Sequence, residues 1–139
     1  MIAQYQTGDA EGILPQAVQS EEAAEFACCF EEIEAYSLID EESEKVAAVF
    51  GYRIAAQGAA EGFALLGALS YAELREMVIF LKRFIPQKMA ELGITKVCVT
   101  VKKGFDAGEK FAEMLGFHPT AALPQFYLGY DYQLFERRK

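Results

Sequence analysis

The sequence has a single histidine, His118, so a histidine-rich metal site or a serine-histidine-acid triad has little to build on. His118 follows a predicted helix end, where a polar side chain commonly caps carbonyls, and that is the role expected of it. Cysteine is scarce and odd in number: Cys28 and Cys29 are neighbours, Cys98 stands alone, and no Cys-x-x-Cys spacing occurs. Disulfide, zinc and dithiol chemistry are therefore not expected, whereas a reducing, cytoplasmic setting is. Cys98 has no activating base beside it in the sequence and reads as a buried, inert thiol. No apolar run reaches the ~18 residues of a membrane span. The opening Met1-Ile2-Ala3-Gln4 lacks the basic and apolar regions of a signal peptide, so neither export nor membrane insertion is expected. Walker and dinucleotide glycine motifs are missing as well. The acidic groups Glu31-Glu32 and Asp40-Glu41-Glu42 lack the glycine and alternate spacing of a calcium loop, and read as solvated surface. No metal site is expected.

Basic residues are sparse in the first half of the 139-residue chain, where thirteen acids face only Lys45 and Arg53. The second half, from Ser70, carries eleven Lys and Arg against eight acids. A net charge of −8 argues against a partner with a phosphate backbone, because nucleic-acid binders displace counterions with clustered cations. A small polyanion would prefer the second half. The hydrophobic fraction of 53% and charged fraction of 24% are those of a globular protein, without repeats or a linker, and the length suits one domain spanning 1–139.

Periodicity supplies the elements. Ile2 to Gln6 alternates like a short strand. Ser20 precedes a helical pattern of Phe26, Cys29, Phe30 and Ile33, with Glu21, Glu22 and Glu25 at the positive end of its dipole. Apolar runs at 36–39, 46–54 and 63–69 read as three antiparallel strands, separated by Asp40 to Lys45 and by Ala55 to Gly62. Leu74, Met77, Val78, Leu81, Ile85, Met89 and Leu92 make one helical stripe; Pro86 is expected to kink it and Gly93 to end it. Val97, Val99 and Val101 then mark a buried strand, so 63–101 forms a strand-helix-strand crossover with a parallel pair. A second helix is predicted over 106–115, with Asp106 and Glu109 as a capping box and Gly116 as the left-handed cap, Phe117 folding back on Phe111. The aromatic tail from Phe126 to Phe135 is one long strand or a hairpin turning at Gly129.

The order of these elements, together with Phe105-Asp106-Ala107-Gly108-Glu109-Lys110-Phe111-Ala112-Glu113-Met114-Leu115-Gly116-Phe117, resembles the GNAT acetyltransferase family over nearly the whole chain. The segment is similar to that family's late helix, an Asn and Ala followed by Leu-Tyr-Glu-Lys-Leu-Gly-Phe. The resemblance implies an α/β fold of the α+β kind, with a mixed, mostly antiparallel sheet flanked by helices. It also implies a glycine-rich loop before the long helix, whose N–H groups would cradle the pyrophosphate of acetyl-CoA.

The matching positions here are Leu69, Ser70, Tyr71 and Ala72, and they contain no glycine. Ser70 and Glu73 have the spacing of a capping box, which would occupy the helix start and place a negative charge in its first turn, with Glu76 adding another. The family's tyrosine, which protonates the leaving thiolate, aligns with Ala112, and a methyl group donates no proton. Tyr127, Tyr130 and Tyr132 are the nearest alternatives in the sequence and read as core or interface aromatics. Gly67 is the expected point of a bulge or close approach.

The preferred expectation is a degenerate, GNAT-like binding or structural module without a cofactor. In size, loop and terminal hairpin the chain is also similar to the small internal core protein of short-tailed bacteriophages, which implies a phage or prophage origin and a virion or host protein partner. The alternative is an acetyl-CoA-dependent N-acyltransferase acting on a small or peptidyl amine. The aromatic tail adds an expected homodimer through its strands.

Overall fold

The computed structural model describes residues 1–13 and 33–139. The helix expected after Ser20, with Cys28 and Cys29, lies outside the described residues. Seven strands, β1 (Ile2–Gln4), β2 (Glu34–Ile39), β3 (Val46–Ala56), β4 (Ala59–Leu66), β5 (Lys96–Lys102), β6 (His118–Tyr127) and β7 (Tyr130–Arg138), form one sheet in the order β1-β2-β3-β4-β5-β7-β6, in which β4 and β5 run parallel while β1-β2, β2-β3, β5-β7 and β6-β7 pair antiparallel. Two α-helices of the described residues accompany them: α1 at Tyr71–Leu92 and α2 at Asp106–Met114. The chain divides into two compact units, Met1–Arg53 with Gly62–Ile79, and Ile54–Glu61 with Phe80–Lys139.

In the first unit β1 (Ile2–Gln4) pairs antiparallel with β2 (Glu34–Ile39), which pairs with β3 (Val46–Ala56). The connection expected at Asp40 to Lys45 is a tight turn in which Asp40 N–H donates to Lys45 O (2.9 Å) and Glu44 N–H to Asp40 O (2.8 Å). The Glu42 N–H and then the Ser43 hydroxyl, both donating to the Asp40 carboxylate, hold its pKa below the usual carboxylate range. Alternation along the strands delivers Ala35, Val49 and Leu65 to a core shared with Ala10 and Ile13, with Tyr5, Ile33, Val46 and Phe63 packed against it. Ser37 is fully buried, and its hydroxyl donates to Asp9 Oδ2 at 2.7 Å, which removes the cost of an unpaired polar group.

In the second unit the expected connection from Ala55 to Gly62 is much shorter than the sequence suggested. β3 continues to Ala56, β4 begins at Ala59 and runs to Leu66, and only Gln57 and Gly58 turn, Gly58 at φ +75°. The small residues there carry no apolar alternation; they are strand because Ala59, Ala60 and Glu61 pair with Lys96, Val97 and Cys98 of β5 (Lys96–Lys102). This is the expected crossover, strand to long helix to parallel strand.

α1 continues through Pro86 to Leu92. Met77, Leu81 and Met89 of the predicted stripe are buried. Gly93 turns left-handed at φ +66°, and Ile94 N–H returns to Met89 O at 2.9 Å, closing the helix as the sequence predicts.

At α2 the sequence is half right. Its end has the predicted geometry: Gly116 at φ +86°, Gly116 N–H to Glu113 O (3.0 Å) and Phe117 N–H to Ala112 O (3.1 Å). Its start does not, because Phe105 takes the cap position and no side chain caps it, leaving Asp106 and Glu109 inside the first turn as charges on the dipole. The carbonyl-capping role expected of His118 belongs instead to Arg137, whose Nη1 donates to Leu115 O at 2.8 Å. His118 opens β6 (His118–Tyr127), which pairs with β7 (Tyr130–Arg138). The tail is thus the hairpin of the two readings, and much longer than 126–135. It turns at Leu128 and Gly129, both left-handed at φ 51° and 77°, as a two-residue hairpin turn requires.

Candidate functional site

The start of α1 is where the sequence placed its candidate residues. Leu69 is half-buried, Ser70 is exposed at the cap position, Tyr71 opens the helix 84% exposed, and Ala72 is exposed. Ser70 N–H donates to Glu73 Oε1 at 3.0 Å, and Glu73 N–H donates to Ser70 Oγ at 3.1 Å. This is a reciprocal capping box, and Leu74 N–H is likewise taken by Ser70 O at 3.0 Å. Two of the donors that a helix start offers an anion, the N–H groups of Ser70 and Glu73, are in this way consumed by the chain itself. The N–H groups of Tyr71 and Ala72 have no acceptor among the described residues. Glu73 Oε2 is buried and has no hydrogen-bond partner among them either, so a carboxylate oxygen with unmet demand for donors sits in the first turn.

Upstream, Gly67 is buried and its N–H donates to Ala47 O at 2.9 Å. Its amide is therefore part of the sheet, and β4 ends beside it at Leu66. At the position the family fills with a tyrosine, Ala112 is buried at 4% exposure, and its carbonyl accepts from Leu115 and Phe117. The chain's own residues do not fit a diphosphate at the start of α1: a glycine-free turn, a serine hydroxyl already on the Glu73 amide and a carboxylate with one buried oxygen left unbonded all disfavour an anion there.

Cys98, expected buried and inert, is half-buried, with Sγ 3.9 Å from Glu136 Oε1. Burial first, and then the Glu136 carboxylate, push its pKa up, which keeps it a thiol. One feature the sequence did not suggest is a cleft in the second unit, drawn from α1, the end of α2, β6 and the end of β7. Its residues come from segments far apart in the chain, so no local spacing could have announced it.

No family model and no curated protein sequence matches the chain. Solved structures do. A GNAT-family acetyltransferase from Bacillus anthracis superposes with a TM-score of 0.67 at 11% identity, covering 99% of this chain and 93% of that one. A ribosomal-protein-alanine N-acetyltransferase from Brucella melitensis gives 0.70 at 12% identity over 100% and 99%. A spermidine N-acetyltransferase variant from Vibrio cholerae gives 0.66 at 11% identity over 99% and 94%. The fold is that of the GNAT acetyltransferases.

Proposed function

We propose that this GNAT-fold chain is a catalytically degenerate module that acts by binding or as a structural part. The observation that carries the reading is the reciprocal Ser70–Glu73 cap, 3.0 and 3.1 Å, across the turn where the fold's enzymes would receive a diphosphate. Ala112 supports it, since no proton donor stands at the aligned late-helix position. Isothermal titration with acetyl-CoA is expected to give no heat from the α1 start at millimolar cofactor, and micromolar binding there would overturn the reading. Glu73→Gln removes a charge worth about 0.3–1 kcal/mol at a helix start, so any residual affinity should rise about two- to fivefold. An unchanged value would refute the electrostatic part.

A second reading is an acetyl-CoA-dependent N-acyltransferase with an unusual cofactor loop. The two N–H groups of Tyr71 and Ala72 left without described acceptors favour it, as does the fold shared with acetyltransferases over more than nine-tenths of their length. The backbone of Leu69 to Ala72 would then meet the cofactor, and the acidic first half would attract a cationic amine.

The phage-like size and terminal hairpin suit a virion-associated or host-binding partner, acting in the cytoplasm. The terminal hairpin also suits self-association: β6 lies at the sheet edge, and Phe126 and Leu128 are 54% and 52% exposed. Light scattering should report a dimer at high concentration, reduced to monomer by Phe126→Ser. A wild-type monomer throughout would dispose of this contact.

A further inference from the structure

We propose that the cleft of the second unit binds a phosphate-bearing small molecule. Its volume of about 620 Å³ lies within the range of small-ligand sites, and Lys82, Arg137 and Arg138 line it against a single carboxylate, Glu136. That balance is opposite to the chain's net charge of −8, so the cations are gathered here against the average.

The carboxylate is already met. Lys96 Nζ is 3.9 Å from Glu136 Oε1 and Arg138 Nη2 is 3.4 Å from Oε2. Arg137 is held in place by its 2.8 Å bond to Leu115 O, which fixes the guanidinium plane and leaves other donors of its fork for an anion. The carbonyl end of α2, which would repel an anion if bare, is covered: Glu113 O, Ala112 O and Leu115 O each accept a bond, from Gly116, Phe117 and Arg137. Met114, 43% exposed, offers an apolar wall for the organic part of the ligand, and His118 adds an imidazole.

The probe is ADP, titrated calorimetrically at low salt against the full chain, with inorganic phosphate and an oligoglutamate peptide as separate arms. ADP should bind more tightly than phosphate, because it also covers Met114. Lys82→Gln and Arg138→Gln should each weaken it about fivefold, as should a rise in salt. Both side chains are exposed, so the variants should keep the wild-type melting temperature; Arg137 is left intact because it caps α2. No binding of either phosphate at millimolar concentration would overturn the proposal. So would affinities unchanged in both variants, or binding of the peptide alone. The site is independent of the α1 start: heat from acetyl-CoA that Lys82→Gln weakens and Glu73→Gln leaves alone belongs to the cleft.

Discussion

Phe135→Ala is expected to lower the unfolding free energy by about 3–5 kcal/mol, read as a fall in urea midpoint with little change in slope. Phe135 is 2% exposed on β7, opposite Val99 of β5 on one side and Pro119 of β6 on the other. Removing the ring deletes the apolar area it buries and leaves a hole that flanking strands, tied by ladder hydrogen bonds, can close only in part. Phe126→Ala on the same hairpin is the control. At 54% exposure its ring packs edge-on against Tyr132, centroids 5.6 Å apart, and its loss should cost about 1 kcal/mol or less. Equal losses in the two variants would mean that Phe126 is as buried as Phe135.

The same hairpin marks the limit of what the sequence disclosed. Phe126 to Phe135 alternates and was readable; His118 to Gln125 was not, because β6 is an edge strand, exposed at nearly every position, with Pro119 and Pro124 inside it. An edge strand lacks the buried face that produces alternation, and only pairing with β7 makes it a strand. Ala55 to Gly62 failed for a related reason, being drawn into the sheet by backbone partners rather than by its own side chains.

Signals confined to one turn fared better, with an instructive exception. Ser70-x-x-Glu73 and Asp106-x-x-Glu109 have the same spacing, yet only the first is a capping box. Spacing fixes who could bond whom. Which residue takes the non-helical cap dihedrals is decided by how the chain enters the helix, and at α2 that residue is Phe105, with φ −87° and ψ 75°. The α1 start was therefore legible down to its hydrogen bonds, while the buried orphan oxygen of Glu73 and the cleft of the second unit, both products of tertiary packing, were not.

Gly51→Ala is the second large effect, expected at about 1–3 kcal/mol of destabilisation and toward the upper end of that span. Gly51 sits inside β3 opposite Ala35 of β2, and a Cβ there would stand 2.5 Å from Glu34 O and 3.0 Å from Ala35 Cα. Backbone atoms have no rotamer by which to yield, so β2 and β3 would have to part, at the expense of a ladder that also positions the fully buried Ser37 and Val49. Dihedral strain contributes nothing, because Gly51 is not among the positive-φ glycines; alanine should otherwise favour a strand over glycine. Gly8→Ala separates the two causes: Gly8 has φ +90° and open space around its would-be Cβ, so its cost, about 1–2 kcal/mol, is conformational alone. Adding Glu34→Ala should not rescue Gly51→Ala, since the clash is with a main-chain oxygen that every residue carries. If Gly51→Ala melts with the wild type, β2 and β3 do not approach this closely at Gly51.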